Sequence, residues 1–511
     1  MIVKISMLLV FFAVMVGVGV YARKSTKSVD GFVLGGHKAG PWLTAFAYGT
    51  SYFSAVVFVG YAGQFGWKYG IASTWIGIGN AVIGSLLAWV VLGRRTRVMS
   101  HYLKSKTMPD FFGERFQSKS LKIVASVIVF VFLVPYTASV YNGLSRLFGM
   151  AFDIPYSYCV VVMAVFTGVY VILGGYMATA INDFIQGIIM LFGIVAVIAA
   201  TLNGQGGFLH AIQEMAKIPS DVPLTQGQPG AFVSFFGPDP LNLLGVVILT
   251  SLGTWGLPQM VHKFYAIKDE KSINTGTVIS TIFAIVISGG CYFLGGFGRL
   301  FDNPSLYHPE TGLPVFDSII PYMLSTLPDI LIGIVVVLVL SASMSTLSSL
   351  VLTSSSTLTL DCIKGNLVKK MSEKMQVAVM QGLIVFFIIL SVVLALNPPT
   401  FIAQLMGISW GALAGAFLAP FLYGLYWKGV TKAAVWASFA AGVGITLSNM
   451  YLKYIASPIN AGAAAMIAGL VIVPAVSLIT PKLPKEHVEK VFGCYEEKVT
   501  ITVKRSLEAE A

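Results

Sequence analysis

Ile181-Asn182-Asp183-Phe184 opens an apolar run that reaches past Ala200, and Ser341-Ala342-Ser343-Met344-Ser345-Thr346-Leu347-Ser348-Ser349-Leu350 places many hydroxyls inside another apolar run. A charged group next to hydrocarbon costs about 2.5–3.5 kcal/mol on insertion scales, so a carboxylate such as Asp183 indicates a function. A carboxylate at a membrane helix start and hydroxyls in a second helix are ligands that a small, hard cation prefers. The two stretches therefore predict a membrane protein whose function involves an ion.

The composition is that of a polytopic membrane protein. The 511 residues are 56% hydrophobic and 11% charged, with a mean hydropathy of +0.81, whereas soluble domains average about 25% charged residues. The net charge of +11 does not indicate nucleic-acid binding, because the basic residues lie between apolar runs rather than on one polar domain. The four cysteines lie far apart without a CxxC motif, so neither a disulfide framework nor a zinc site is expected.

The apolar runs predict an all-α integral membrane protein with about 13 transmembrane helices, since each run reaches about 20 residues or more. The first run is followed by basic residues without a cleavage motif, so we expect it to be retained as an extra N-terminal helix, residues 1–22. The predicted spans are 2–22, 42–65, 70–93, 122–150, 157–178, 182–203, 240–265, 274–298, 328–358, 375–397, 400–426, 430–452 and 460–480.

The distribution of lysine and arginine predicts the orientation in the membrane. With the N-terminus outside, the inside segments hold 27 of the 33 basic residues, Lys263 among them, and the outside segments hold 4. This bias predicts an outside N-terminus and a cytoplasmic tail, residues 481–511, in a multi-pass protein of the cell membrane. The tail contains a short alternating stretch, 498–504, which is either an edge strand or a disordered end.

Glycine and proline interrupt two of the predicted spans. The second span contains Gly49-Thr50-Ser51-Tyr52-Phe53-Ser54, and the seventh, five spans later, contains Gly253-Thr254-Trp255-Gly256-Leu257-Pro258. Interrupted helices at matching places in two halves are typical of inverted-repeat transporters with a binding site near the midplane. The repeats would be five helices each, residues 42–203 and 240–426, followed by two C-terminal helices in 430–480. The alternative is that these glycines only allow close helix packing.

An ordered set of motifs resembles the sodium/solute symporter family, which includes proline, sugar, sialic acid and monocarboxylate carriers. The resemblance runs from about Gly31 to Lys432. It implies a leucine-transporter-like core of two inverted five-helix repeats. The matching stretches are Phe32-Val33-Leu34-Gly35-Gly36, Gly174-Gly175-Tyr176-Met177-Ala178-Thr179-Ala180-Ile181-Asn182-Asp183-Phe184-Ile185-Gln186, Gly253-Thr254-Trp255-Gly256-Leu257-Pro258 with Lys263, and Ser343-Met344-Ser345-Thr346-Leu347-Ser348-Ser349.

The resemblance implies one or two sodium sites. Backbone carbonyls are free where a helix breaks, and residues at i, i+3 and i+4 share one helix face. The first implied site consists of the carbonyls of Thr50, Phe53 and Ala342 with the hydroxyls of Ser345 and Thr346. The second implied site, which some family members have, consists of Asp183, Ser345, Ser348 and Ser349. The alternatives are that the serines bond the carbonyls of their own preceding turn, and that Asp183 caps a helix.

The resemblance implies that the solute binds where the second and seventh spans unwind, against the fourth and eleventh. The candidate residues are Tyr52, Ser54, Tyr136, Trp255 and Pro258, although most membrane aromatics only pack or lie at interfaces. No lysine or arginine is expected inside the core spans, and Arg146 is expected to pair or extend to the surface near an outer span end. The proline carriers have an acid where this chain has Tyr52, which weighs against proline.

We therefore expect a sodium-coupled symporter that imports a small organic solute, an amino acid such as proline or a monocarboxylate, by alternating access. The alternatives are a proton-coupled or uncoupled facilitator of the same fold, or a sodium/sugar symporter. The expected partners are sodium, the solute and the lipid bilayer, and a monomer is compatible with the sequence. A channel would need a lined filter or a charged ring. A receptor would need an attached signalling domain, for which the tail is too short, and an enzyme would need a nucleophile–base pair. None of these features is evident in the sequence.

Overall fold

The computed structural model describes residues 2–37, 39–268, 271–364, 366–368 and 370–496. Within these ranges the chain consists of helices joined by loops and contains no β-strand. Residues 497–511 of the predicted tail, including the alternating stretch 498–504, lie outside the described residues. The described part of the tail forms a short helix, Lys485–Phe492.

Thirteen helices make up the membrane domain. Shorter helices, Val29–Leu34, Met108–Arg115, Phe208–Lys217 and Phe316–Ser325, lie in the connections. The thirteen are α1 Ile2–Ala22, α2 Pro41–Tyr52, α3 Val56–Leu103, α4 Lys119–Phe152, α5 Tyr156–Gly204, α6 Pro240–Gly256, α7 Pro258–Tyr265, α8 Ser272–Gly295, α9 Asp329–Ile363, α10 Glu373–Leu396, α11 Ile402–Tyr426, α12 Lys432–Leu452 and α13 Pro458–Ile479.

Ten helical stretches of the described chain are long and apolar enough to cross a membrane, and the bent pair α6–α7 makes eleven. Two of these stretches are much longer than a bilayer requires, because α3 has 48 residues and α5 has 49. Each is interrupted by a glycine with a positive φ, Gly70 (φ +59°) in α3 and Gly175 (φ +52°) in α5. When α3 and α5 are each divided at these glycines, the eleven stretches become thirteen and correspond to the thirteen predicted spans. The second predicted span then consists of α2 together with the first part of α3.

Both predicted helix breaks are present. Helix α2 ends at Tyr52 and Phe53 is extended (φ −109°, ψ 112°) before α3 begins at Val56. Helix α6 ends at Gly256, Leu257 is extended (φ −86°, ψ 121°), and α7 leaves at an angle of 44°. Backbone carbonyls near these breaks are therefore free of the regular helical hydrogen-bond ladder.

Helices α9 and α11 form the centre of the molecule. In the apolar windows of these two helices 83% and 89% of the residues are buried, compared with 22% in α1 and 28% in α10, which therefore lie at the lipid-facing periphery. Helix α9 packs against α4 and α5 and contacts α2, whereas α11 packs against α4, α6, α12 and α13. The hydroxyl-rich segment of α9 thus lies beside the break between α2 and α3.

Candidate functional site

The junction of α2 and α9 brings together four of the five residues predicted for the first sodium site. The hydroxyl oxygen of Ser345 lies 3.0 Å from the carbonyl oxygen of Thr50 and 3.0 Å from that of Ala342. The hydroxyl oxygen of Thr346 lies 3.3 Å and 3.1 Å from the same two carbonyl oxygens, and 3.4 Å from the carbonyl oxygen of Ser51. All these residues are buried, so the oxygens form a dry, neutral cluster.

The fifth predicted ligand, Phe53, lies at the helix break itself. Its amide donates to the carbonyl of Gly49 at 3.3 Å, which closes the last turn of α2. Phe53 itself is extended, so the regular helical hydrogen-bond ladder ends at this residue. The Phe53 ring stacks on Tyr52 with centroids 4.3 Å apart.

The two hydroxyls and the backbone carbonyls are oxygen atoms of the kind that could coordinate a sodium ion. Oxygens that surround a hard cation at about 2.4 Å in a near-octahedral arrangement are about 3.4 Å from each other. The separations of 3.0 to 3.4 Å in this cluster are those of hydrogen bonds that the two hydroxyls donate to carbonyls, and they lie near that value. None of these oxygens carries a full charge.

Of the residues predicted for the second site, Asp183 and Ser349 lie on either side of an unforeseen neighbour, Lys263 of α7. Lys263 is 2% exposed, and its Nζ lies 3.7 Å from Asp183 Oδ2 and 3.0 Å from Ser349 Oγ. The hydroxyl of Ser349 also lies 2.8 Å from that of Ser51 on α2. Ser348 donates to the Ser345 carbonyl at 2.8 Å, which is the helix-internal alternative weighed for these serines, and Ser345 and Thr346 make bonds of the same kind to the Ala342 carbonyl.

Two expectations from the sequence are wrong at this point. Lys263 was counted in an inside segment and no cation was expected inside the core, yet Lys263 is buried against Asp183. Asp183 was placed at a helix start, but α5 runs unbroken from the kink at Gly175 through Asp183. Neither carboxylate oxygen of Asp183 has a hydrogen-bond partner among the described residues, so Asp183 does not cap a helix.

The predicted solute residues fall into two groups. Tyr52, Ser54 and Tyr136 lie around the first break, where the Tyr52 hydroxyl donates to the Thr250 carbonyl and the Ser54 hydroxyl accepts from the Val56 amide at 3.2 Å. Trp255 instead points toward α3, because its indole N–H donates to the Ile83 carbonyl at 3.0 Å. Pro258 begins α7 directly after the second break.

Trp410 of α11 joins this cluster and was not predicted. Its ring lies 6.0 Å from that of Tyr52 and 5.9 Å from that of Tyr136. The indole Nε1 of Trp410 and the hydroxyl of Tyr136 are buried, and the Tyr136 hydroxyl interacts with Trp410 and with Ser54. The available signal was one large aromatic in the small-residue stretch Gly407–Gly415 of a span already expected to face the solute.

An ion pair on the side assigned to the outside lies beside these helices. Arg146 Nε lies 4.0 Å from Asp317 Oδ2, which confirms the expectation that Arg146 pairs near a span end. Asp317 belongs to the connecting helix Phe316–Ser325 and accepts the amide of Ile402, the first residue of α11, at 3.3 Å. Burial raises the pKa of the Asp317 carboxyl to about 6, while the charge of Arg146 and the amide lower it less strongly.

Known transporters are similar to this chain in sequence and in fold. The sequence model of the "Sodium:solute symporter family" matches residues 32–442. The sodium/proline symporters of Staphylococcus aureus strains JH9 and COL are 30% identical over 497 residues, which cover 94% of this chain and 92% of each relative. These relatives are transporters, so the exclusion of an enzyme is confirmed.

Solved structures show the fold. A sodium-coupled sialic acid symporter in a substrate-bound outward-open state superposes with a TM-score of 0.75 at 18% identity, covering 94% of this chain and 99% of that one. Mhp1, a nucleobase-cation-symport-1 family transporter in a closed conformation, gives a TM-score of 0.52 at 13% identity, covering 90% of this chain and 97% of that one. The expected leucine-transporter-like fold is thereby confirmed.

The convergence of hydroxyls and carbonyls between α2 and α9 thus occurs in a multi-pass membrane transporter that couples sodium to the movement of a small solute. The chain belongs to the sodium:solute symporter family.

Proposed function

We propose that sodium binds between α2 and α9 and that this binding drives import of a small solute carrying a carboxylate. The observation that carries the proposal is the contact of Ser345 and Thr346 with the Thr50 carbonyl. A sodium ion held there by Thr50, Phe53, Ala342, Ser345 and Thr346 connects a broken helix to the central helix. It would favour the conformation in which these two helices are close, which is how a ligand with different affinities for two states shifts their populations.

The solute is placed at the first break, between Tyr52, Ser54, Tyr136 and Trp410. Two buried groups that can donate a hydrogen bond, the Tyr136 hydroxyl and the Trp410 indole N–H, lie next to each other and beside Ser54. Donors of this kind suit a ligand with acceptor oxygens such as a carboxylate. The aromatic rings of Tyr52, Tyr136 and Trp410 supply an apolar wall. Pro258 and Trp255 would act from the second break, Trp255 through its contact with α3.

This chemistry suits both proline and a monocarboxylate. The relatives named sodium/proline symporters support proline, whereas Tyr52 stands where an acid that could receive an ammonium group is expected in proline carriers. Proline and a monocarboxylate are therefore the two solutes to test first, and a sugar, which lacks the carboxylate, is the third.

The remaining parts of the proposal concern topology. We infer an outside N-terminus and a cytoplasmic C-terminus from the charge bias. The repeats are assigned to residues 42–203 and 240–426, with the 1–22 helix and the two helices of 430–480 outside them. The cycle is alternating access of these repeats, and the functional unit is taken as a monomer.

The test is uptake into proteoliposomes under an imposed inward sodium gradient, with labelled proline, a monocarboxylate and a sugar offered separately. Potassium replaces sodium in the control vesicles. Sodium-dependent accumulation of proline or the monocarboxylate above equilibrium is the expected result. Accumulation of the sugar alone would overturn the assigned solute class. Uptake that only equilibrates, or that follows a proton gradient without sodium, would overturn sodium coupling.

A further inference from the structure

Lys263 places an ammonium group where the second sodium ion would have to bind. Its Nζ lies 3.0 Å from the Ser349 hydroxyl and 3.7 Å from the Asp183 carboxylate. It also lies 5.3 Å from the centre of the Tyr176 ring, within range of a cation–π contact. Ser349 and Asp183 are both in the set of residues predicted for a second sodium. The lysine therefore uses the same ligands that a second ion would need.

The charge of Asp183 requires one cation and the structure already supplies it. Asp183 is fully buried, and the Lys263 ammonium faces its carboxylate at 3.7 Å. A buried carboxylate without a partner is strongly unfavourable, whereas a carboxylate next to one ammonium forms a neutral pair. The same ammonium already contacts the Ser349 hydroxyl at 3.0 Å, so a sodium ion could use these ligands only if the ammonium left them. The ammonium and a second sodium ion are thus mutually exclusive at this position.

We propose that the Lys263 ammonium is the built-in second cation of this transporter, so that the chain binds one sodium ion, between α2 and α9, and cannot bind another at Asp183 while Lys263 is charged and in place. The inference rests on the proposed function, because it takes the first sodium site as given. It assigns the cluster of Asp183, Ser348 and Ser349 to Lys263 rather than to an ion.

The position of Lys263 connects this internal cation to both binding regions. Ser349, which contacts the ammonium, also contacts the hydroxyl of Ser51 at 2.8 Å, and Ser51 follows Thr50 of the proposed sodium site. Lys263 itself lies five residues after Pro258 on α7. The ammonium thus connects α7 to α5 and α9 at every sodium concentration. Because one sodium ion binds per chain, sodium binding should be non-cooperative.

The test counts sodium ions by equilibrium binding of radioactive ²²Na⁺ to the purified full-length protein. The unmodified protein is expected to bind one ion per chain with a hyperbolic isotherm. In Lys263→Met the carboxylate is freed, and the count is expected to double to two. In Lys263→Arg the positive charge is kept, and the count is expected to stay at one. Lys268→Met removes an exposed lysine of the same segment and should also leave the count at one.

Any other result would contradict either this proposal or the proposed sodium site. Two ions bound to the unmodified protein, or two in Lys263→Arg, would overturn the internal cation while leaving sodium symport intact. A count of one in a folded Lys263→Met protein would show that Asp183 does not take an ion even when free, which also overturns it. No sodium bound to the unmodified protein would instead contradict the proposed sodium site itself. If Lys263→Met does not fold, the unmodified protein and Lys263→Arg still test the proposal, because two bound ions in either of them would contradict it.

A small cation supplied in solution gives an independent measurement. In Lys263→Met, methylammonium carries the same ammonium group and is expected to displace one of the two bound ions. In the unmodified protein it should leave the single bound ion in place. Displacement of sodium from the unmodified protein at equal concentration, or none from Lys263→Met, would contradict the assignment.

Discussion

The hydroxyl oxygen of Ser345 and the carbonyl oxygen of Thr50 lie 3.0 Å apart, although 295 positions separate the two residues in the chain. The contact is possible because α2 stops at Tyr52, next to the hydroxyl-rich face of α9. A ligand that binds both residues senses the relative position of a broken helix and the central helix. This is the geometry through which ion binding can control a conformational equilibrium.

The first prediction concerns this contact. The double substitution Ser345→Ala with Thr346→Ala removes both side-chain oxygens and leaves only carbonyls around the proposed ion. We expect sodium-stimulated uptake to be abolished and the sodium affinity to fall at least tenfold, since each lost charge-assisted contact is worth about 1.5–3 kcal/mol. The measurement is uptake as a function of sodium concentration in proteoliposomes.

Ser343→Ala is the matched control for that pair. Ser343 lies on the same helix and is equally buried, but among the described residues its hydroxyl donates to the Val339 carbonyl of its own helix alone, at 2.7 Å. We expect its sodium dependence to match that of the unmodified protein. Sodium-stimulated uptake that persists in the double variant would contradict the first site.

The second prediction separates solute recognition from sodium binding. Trp410→Phe keeps an aromatic ring against Tyr52 and Tyr136 but removes the indole N–H that is proposed to donate to the solute. Loss of a hydrogen bond to a charged group costs about 1.5–3 kcal/mol. The KM for a carboxylate solute should therefore rise about 10- to 100-fold, while ²²Na⁺ binding measured without solute stays unchanged.

Trp89→Phe provides the comparison for Trp410. Trp89 is an equally buried tryptophan, but it packs between Tyr48 and Phe264, away from the proposed solute site. Its replacement should leave the solute KM within about twofold. Equal effects of the two substitutions would mean that Trp410 acts through packing alone and would remove it from the solute site.

The sequence predicted those features of the fold that depend on local residues. Glycine and proline near Phe53 and Leu257 identified both helix breaks, because they weaken regular helix wherever they occur. The spacing of Ser345, Ser348 and Ser349 placed three hydroxyls on one face of α9. The division of α5 was also predicted from its apolar runs, although the break lies at Gly175 and the helix continues through Asp183.

The partners of buried residues could not be predicted in the same way. Lys263 and Asp183 are far apart in sequence, and whether a lysine near a span end reaches solvent or a buried carboxylate depends on how α7 packs against α5. Trp410 was missed for a related reason, since an aromatic side chain on a membrane helix faces lipid, a neighbouring helix or a cavity according to the rotation of that helix. Only tertiary structure fixes these choices.

The third prediction concerns the break in α5. Gly175 has φ +52° and ψ −149°, a backbone conformation that side chains other than glycine rarely adopt. A Cβ atom at this position would lie 2.8 Å from the Phe32 carbonyl oxygen. We expect Gly175→Ala to destabilise the protein by about 1–3 kcal/mol, as for other strained backbone positions.

Thermal unfolding in detergent, followed by intrinsic fluorescence, measures the effect of Gly175→Ala. Gly204→Ala is the control, because Gly204 ends the same helix and an added Cβ would have no heavy atom within 4 Å. This control should unfold at or slightly above the temperature of the unmodified protein. Equal unfolding temperatures for the two variants would show that the break does not require glycine.

The last prediction uses the carboxyl of Asp317. Its folded-state pKa is raised to about 6 by burial, whereas an unfolded aspartate has a pKa of about 3.9. The folded protein therefore binds a proton more tightly than the unfolded chain, and this group's contribution to stability falls as the pH rises from about 4 to about 6, by about 3 kcal/mol in total. Unfolding temperatures measured between about pH 4 and pH 6 should fall less steeply with rising pH in Asp317→Asn than in the unmodified protein. Glu310→Gln, an exposed acid in the same connection, should keep the slope of the unmodified protein. A slope unchanged in Asp317→Asn would mean that the carboxyl stays ionised beside Arg146 at all these pH values.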